Sequence, residues 1–252
     1  MLNIIIPMAG LGSRFSKAGY ELPKPLINVH GLRMIELVIK NLRPSRSHKF
    51  IFVCQNAHIK KYELDSLLPQ IAGKNSEVIG IDGVTDGAAR TVLLGLADVS
   101  PDEPLLIANS DQFIDCDIND FLSVATNSID GLIMTMKAND EKWSFVSLDS
   151  NNKVKEVVEK VVISDEATVG IYYFSKTGDF VSAAYQMIEK KETSNGEYYV
   201  APVYNYLIKD KAKIDIFNIG RVGDGMYGLG TPADLEEFLS LPDHHFRYAQ
   251  WK

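Results

Sequence analysis

Three stretches of this sequence carry residue types suited to handling phosphate. The first is Pro7-Met8-Ala9-Gly10-Leu11-Gly12-Ser13-Arg14-Phe15, directly after an apolar run. Gly10 and Gly12 remove side chains and permit φ > 0, so successive backbone N–H groups can turn toward one anion. Arg14 adds a planar fork that matches phosphate oxygens. The second stretch, Pro23-Lys24-Pro25-Leu26-Ile27, begins eleven residues after Gly12. Its two prolines fix the backbone around one lysine and exclude helix there. The third, Pro104-Leu105-Leu106-Ile107-Ala108-Asn109-Ser110-Asp111-Gln112, reads as a buried strand ending in an acid. An Asp at a strand's carboxyl end can hold Mg²⁺ through oxygen, with phosphates and water completing the octahedron. Two familiar phosphate loops are excluded. No G-x-x-x-x-G-K-[ST] occurs, and Phe15 stands where the dinucleotide fingerprint needs its third glycine.

The elements that must position these residues follow from hydrophobic patterning. Short apolar runs predict strands over 3–8, 49–54, 77–81, 104–109, 131–137, 145–149, 153–158, 168–174 and 213–219. Their near-continuous Ile/Val/Leu/Phe content suits strands buried on both faces of a mainly parallel sheet. Amphipathic stretches predict helices over 33–43, 56–70, 87–98, 117–126, 177–190, 200–208 and 231–240. Asp117 is placed to cap one of them and Thr231-Pro232 to open another. Regular β-then-α alternation through residue 126 indicates a doubly wound, Rossmann-like half. Beyond residue 130 the strands crowd together and the pattern turns mixed. The expected fold class is α/β: a three-layer α/β/α sandwich with a mixed, mainly parallel sheet. With 252 residues and no Pro/Gly/Ser-rich linker or repeat, one domain over 1–252 is the economical organisation, with halves at 1–126 and 127–252.

The segments Met8–Phe15 and Pro23–Leu26 together resemble the signature of the sugar-phosphate nucleotidylyltransferases, the nucleotide-sugar pyrophosphorylases of GT-A-like fold. The resemblance is most specific in the first forty residues and continues more weakly to about residue 240. It implies Mg²⁺-dependent transfer of a nucleotidyl group from an NTP to a phosphorylated small molecule, usually a sugar 1-phosphate, with release of pyrophosphate. The pathway it implies is the supply of precursors for surface polysaccharide such as capsule. By the same resemblance, the backbone of Ala9, Gly10, Leu11, Gly12 and Ser13 would hold the nucleotide. Arg14 would meet the departing β/γ-phosphates and Lys24 the α-phosphate. Thr85-Asp86-Gly87-Ala88-Ala89-Arg90-Thr91 resembles the segment that contacts the base, so Asp86 and Gly87 join the nucleotide site, as does Ser110. Asp111 matches the family's metal ligand. Val157-Val158-Glu159-Lys160 resembles the V-E-K segment whose lysine meets the acceptor phosphate. Glu159 and Lys160 are therefore expected on the acceptor side. Thr168-Val169-Gly170-Ile171-Tyr172-Tyr173-Phe174 resembles the family's glycine-containing strand under the acceptor, and Gly196-Glu197-Tyr198-Tyr199-Val200 falls where its acceptor-binding acids are often found, so Gly170 and Glu197 are expected there too. Nucleotidyl-binding falls to the first half and acceptor-binding to the second.

One departure stands out. Many relatives carry D-x-G-T near the C-terminus, whose Asp is a second metal ligand; here the run is Gly228-Leu229-Gly230-Thr231. Asp224 and Glu197 are the candidate substitutes, and water is the other option. No hexapeptide repeat is present, so the left-handed β-helix domain of bifunctional relatives is not expected. Three other readings stay open. Asp115-Cys116-Asp117 mimics the D-x-D of GT-A glycosyltransferases, although these acids also fit a loop and a helix cap. A cytidylyltransferase acting on a non-sugar phosphate, such as an amino-alcohol phosphate, shares the same motifs. A non-catalytic nucleotide sensor shares the loop but needs no clamp on a leaving group. The base is open among UTP, CTP, dTTP and GTP, with pyrimidines favoured by analogy.

Charge and composition narrow the partners. Residues 1–49 hold eight Lys/Arg against two acids, yet the whole chain carries −7. The basic segment is thus read as a phosphate clamp of Arg14 and Lys24 plus a solvated basic helix, not as a nucleic-acid footprint. The N-terminal apolar run is too short for a signal peptide, and no run reaches a membrane span, so neither membrane nor secretion is expected and the cytoplasm is the expected compartment. Two cysteines cannot frame disulfides, and Cys54 reads as a core thiol. None of the five histidines has zinc-ligand spacing. His244-His245 reads as a polar helix terminus. The aromatic tail over 246–251 covers the core or meets another subunit, which leaves a homo-oligomer open.

Overall fold

The computed structural model describes residues 1–125 and 128–242. The chain opens with β1 (Leu2–Pro7), the short helix α1 (Ser13–Lys17), a 3-10 turn (Lys24–Leu26), the hairpin β2 (Asn28–Val29) and β3 (Leu32–Arg33), and α2 (Met34–Leu42). There follow β4 (His48–Gln55), α3 (Asn56–Tyr62), α4 (Leu64–Ala72), β5 (Ser76–Ile81), α5 (Ala88–Leu94), β6 (Leu105–Ala108), β7 (Gln112–Ile114) and α6 (Ile118–Val124). The remainder comprises β8 (Gly131–Lys137), β9 (Ser144–Leu148), β10 (Val154–Glu159), β11 (Glu166–Phe174), α7 (Thr177–Glu189), a 3-10 turn (Ala201–Val203), α8 (Tyr204–Lys209), β12 (Ile214–Val222), β13 (Gly225–Gly228) and α9 (Pro232–Ser240).

One sheet holds both halves of the chain, in the order β5-β4-β1-β6-β11-β8-β12-β13-β7. The pairs β5–β4, β4–β1, β1–β6, β8–β12 and β12–β13 are parallel. Antiparallel β11 sits between β6 and β8 and joins the two parallel blocks. Alternation in β1 shows how the layers form. Leu2, Ile4 and Ile6 face a core shared with α2, α4 and α6, through residues such as Val38, Leu68 and Phe121. Ile5 faces the opposite core, shared with α5, α7 and α8 through Val92, Phe180 and Tyr204. The result is the expected three-layer α/β/α arrangement. A third cluster, with Phe15, Met34, Phe113 and Phe238, ties α1, α2, β7 and α9 together beside the glycine loop.

Several expectations need correction. The stretch 56–70 is two helices, because Glu63 adopts left-handed φ 50° and swings the chain between α3 and α4. The Pro23-Lys24-Pro25 segment is not free of helix: it closes one 3-10 turn through Leu26 N to Pro23 O (2.8 Å). Pro25 is tolerated there because its missing N–H falls in the first turn, where no partner is needed. Arg14 lies in the first turn of α1, not in a loop. The helix expected over 87–98 ends at Leu94, and its C-cap Gly95 sits where a Cβ would stand 2.5 Å from Ile5 Cδ1. The helix expected from 200 begins as a 3-10 turn. Short strands β2, β3, β7 and β13 and helix α1 have no counterpart in the patterning. Asp117 and Thr231 do cap α6 and α9, and Cys54 is buried. Position 126, His244-His245 and the aromatic tail lie outside the described residues. Among the described residues no helix is long and apolar enough to cross a membrane.

Candidate functional site

The carboxyl ends of β1 and β6 open onto two adjoining cavities, both of which have Ala88 on their walls. In an open α/β sheet this is where ligands bind. The first cavity, about 370 Å³, is walled by Pro7, Ala9, Gly10, Leu11, Gly12 and Ser13 on one side. Val84, Thr85, Gly87, Ala88 and Thr91 form the other side, with Glu197 at the edge. Only Gly12 of the loop's two glycines uses a positive φ (59°); Gly10 serves by leaving open space. Leu11 and Val84 are exposed at the mouth, 69% and 53%, and offer two apolar faces to a flat ligand.

Gly87 is required by its neighbours. It has φ 129°, and a Cβ there would stand 2.4 Å from the Tyr198 backbone. The approach allows Tyr198 N to donate to Asp86 O (2.7 Å) and Ala89 N to donate to Tyr198 O (3.0 Å). The Asp86 side chain turns to Arg90 Nε at 2.6 Å, and neither cavity has it as a wall residue. Of the two residues expected there, Gly87 lines the first cavity and Asp86 does not; Thr85 lines it as well.

The second cavity, about 300 Å³, gathers three cations: Arg14, Lys142 and Lys160. Arg14 is on this wall and not on that of the first cavity. Asn109, Trp143, Ser144, Glu159, Gly170, Tyr172 and Tyr199 also line it. Gly170 has φ 82°, and a Cβ would collide with the Asn109 side chain (2.1 Å to Nδ2). Glu159 is buried and accepts a hydrogen bond from Ser144 Oγ. Burial pushes its carboxyl above the usual range, opposed by the Ser144 bond and by Lys160. Lys160 has left-handed φ 58°, and its Nζ donates to Tyr199 Oη. Glu197, expected beside the acceptor, lines the first cavity instead and accepts from Tyr199 Oη at 2.6 Å.

Lys24 and Asp111 are brought together from 87 residues apart. Lys24 Nζ stands 2.7 Å from Asp111 Oδ2, with the side chains 24% and 21% exposed. Asp111 is held from behind by Leu229 N, which donates to its backbone oxygen (2.8 Å). Gly230 lies so close that a Cβ would be 3.0 Å from Asp111 Oδ2. Ser110, next to it, is buried. A carboxylate already stabilising an ammonium is a competent cation ligand. Among the described residues, however, no three His, Cys, Asp or Glu side chains gather as a metal site. Asp111 therefore offers a cation one carboxylate, and phosphate or water oxygens would have to complete an oxygen-ligated ion there.

The second-ligand candidates do not join it. Asp224 lies in the exposed turn before β13, with its carboxylate 3.1 Å from Arg221 Nη2. Glu197 is held by Tyr199. A Cβ on Gly228 would face Asp234 Cγ at 3.8 Å and the Trp143 ring at 3.9 Å. Asp234 was not singled out by sequence; its spacing three residues after Thr231 is the signal of a cap, and Thr231 Oγ1 donates to it at 2.6 Å. The D-x-D mimic is likewise structural, because Asp117 Oδ1 accepts from Asn119 N and Nδ2, both at 2.8 Å. Lys142, Trp143, Asn109 and Tyr199 are among the cavity residues that sequence reasoning missed. Asn109 and Tyr199 lay in segments already marked, and Lys142 and Trp143 did not.

Comparison with known proteins agrees with this geometry. The "Bifunctional protein GlmU" of Methanocaldococcus jannaschii is 25% identical over 243 residues, covering 94% of this chain and 53% of that protein. The chain thus spans about half the length of that relative. A nucleoside-diphosphate-sugar pyrophosphorylase from Vibrio cholerae RC9 superposes with TM-score 0.79 at 28% identity, covering 94% of this chain and 100% of that one. The inositol-1-phosphate CTP transferase from T. maritima shares the fold, with TM-score 0.71 at 16% identity over 94% of both chains. A model of the family described as Nucleotidyl transferase matches residues 3–216. That span contains every wall residue of both cavities, and the chain belongs to the nucleotidyl transferase family.

Proposed function

We propose that the protein transfers a nucleotidyl group from an NTP to a phosphorylated small molecule, a sugar 1-phosphate in the first instance, and releases pyrophosphate. The observation that carries this is the division of charge between the adjoining cavities. The first has no Lys or Arg on its wall and suits a base and ribose. The second has three cations and suits a phosphate-bearing acceptor. Arg14 and the nearby glycine loop connect them, and the triphosphate lies across that junction. The supporting assignment is nucleotide to the backbone of Ala9–Ser13 and to Gly87, and acceptor to Lys160, Glu159 and Gly170. The chain acts as a single domain over 1–252. The two cavities cross the 126/127 division, since Glu197 reaches the first and Arg14 and Asn109 the second.

No protein nucleophile is needed. An acceptor phosphate oxygen forms a bond to the α-phosphorus as the bond to the β-phosphate oxygen breaks, and the electron pair leaves with pyrophosphate. Catalysis then rests on alignment and on charge stabilisation. Lys24 meets charge that develops on the α-phosphate, and Arg14, at the junction of the two cavities, meets the phosphates brought together there. Magnesium, when bound to the triphosphate, supplies neutralisation of the phosphate oxygens, and Asp111 is the residue that would hold it. Lys24 and Asp111 are on the wall of neither cavity, but a Cβ on Gly12 of the glycine loop would stand 3.5 Å from Lys24 Cβ, and this closeness supports the assignment. The supporting test is pyrophosphate release across a matrix of NTPs and phosphorylated acceptors, with and without Mg²⁺. Release with one NTP and one acceptor class is expected. Silence in every well, together with sugar transfer from a nucleotide sugar, would identify a glycosyltransferase instead. A non-sugar phosphate as best acceptor would keep the reaction and change the substrate. Location in the cytoplasm and service to polysaccharide synthesis belong to the same reading.

A further inference from the structure

We infer that Tyr199 is a positioning residue. It fixes the Lys160 ammonium on the acceptor wall through a hydrogen-bond chain that begins at Glu197, on the nucleotide wall. The inference rests on the proposed assignment of Lys160 to the acceptor.

The chain has a definite direction. Tyr199 Oη has one proton, and it goes to Glu197 Oε2 at 2.6 Å. The phenol oxygen is then left as an acceptor, and Lys160 Nζ donates to it. The ammonium also lies 4.3 Å from the Tyr199 ring centroid and 3.9 Å from Glu159 Oε1. The phenol stays protonated, since burial and then Glu197 both raise its ionisation range. A carboxylate that orients a hydroxyl, which in turn receives an ammonium, holds the ammonium in one geometry.

Lys160 needs such a fixture. It follows β10 with φ 58°, a backbone state that disfavours non-glycine residues. Its side chain is about one-third exposed. A flexible four-carbon stem loses rotamer freedom on being held. Tyr199 holds it before any ligand arrives. Tyr199 is itself anchored, because Tyr198 is clamped between Asp86 and Ala89 at the point where Gly87 admits its backbone. The loop that walls the nucleotide cavity therefore sets the origin from which Lys160 is aimed.

Tyr199→Phe removes the hydroxyl and keeps the ring. With ¹³Cε-labelled lysine, the Lys160 NMR signal, assigned by its loss in Lys160→Ala, is expected to move in Tyr199→Phe without any ligand, while the Lys24 signal stays. Glu197→Gln, which weakens the acceptor for the phenol proton, is expected to move the same signal. Kinetically, Tyr199→Phe should raise the acceptor KM about tenfold to a hundredfold, the range of one charged hydrogen bond, with NTP KM within about twofold. Adding Tyr199→Phe to Lys160→Ala should cost nothing more. An unmoved Lys160 signal, an unchanged acceptor KM, or equal rises in both KM values would overturn the positioning role. If wild-type enzyme releases no pyrophosphate anywhere in the matrix, the nucleotidyl reading fails, and the ligand-free NMR still decides whether Tyr199 positions Lys160.

Discussion

The Lys24–Asp111 pair shows what one contact can and cannot reveal. Two opposite charges at 2.7 Å, each about three-quarters buried, look like a structural ion pair. Their place at the carboxyl end of the sheet, beside the glycine loop, gives the ammonium a second use. Lys24→Ala should lower kcat by about a hundredfold to a thousandfold, as loss of one transition-state donor does. Steady-state kinetics with a melting curve checks this; near-normal kcat would confine Lys24 to a structural role. Both residues were legible in sequence, one from the prolines around it and the other from the apolar run before it. Their contact was not, because nothing local encodes a partner 87 positions away. Glu159 adds a prediction of sign. Burial raises its folded-state carboxyl, so the folded state keeps the proton to higher pH than the unfolded chain. The associated stability is full below the unfolded value, about 4.3, and is lost as pH rises through the higher folded value. Glu159→Gln should remove that loss. The melting temperature of the wild type should then fall relative to the variant as pH rises from about 4 to about 7. Parallel curves would show that burial is fully offset by Lys160 and Ser144.

At the scale of elements, patterning located the long strands and helices because their signal is hydrophobic and repeats. It failed where a backbone conformation decides. The break at Glu63 needs a left-handed glutamate, which no propensity favours. Strands β7 and β13 are only three and four residues long, too short for alternation to register. They pair with each other, Gly228 against Gln112, and so bring Leu229 and Gly230 against Asp111. The missing Asp at 228 thus sits in an element that sequence did not resolve. The Gly87 turn was legible in sequence, but its partner Tyr198 was not. Gly87→Ala places a Cβ 2.4 Å from that backbone, with φ 129°. Backbone strain of this kind costs about 1–3 kcal/mol. The variant should lose that much in chemical denaturation and should bind NTP more weakly than acceptor. Equal losses for both ligands would mean that the clamp supports the whole sheet edge rather than the first cavity.

At the scale of the whole molecule, the sheet runs through both halves of the chain, and each cavity takes walls from both. β11 makes this possible: it is antiparallel to β6 and β8 and places Gly170 beside Asn109, which leaves β6. A ligand seated in either cavity therefore joins residues far apart in sequence, such as Ser13 with Glu197 or Arg14 with Lys160. Ligand binding should consequently stabilise the fold as one unit, by RT ln(1 + [L]/Kd), about 2.7 kcal/mol at a hundredfold excess over Kd. For a chain of this size each kcal/mol raises the melting temperature by about 2–4 °C. The cognate NTP with Mg²⁺ should then shift a single melting transition upward by roughly 5–10 °C. Asp111→Asn should reduce the Mg²⁺-dependent part of that shift and leave any metal-free part. If the melt instead splits into two transitions, with only the earlier half of the chain protected, the halves are separate folding units. The continuity of the sheet would then not be what couples the two cavities.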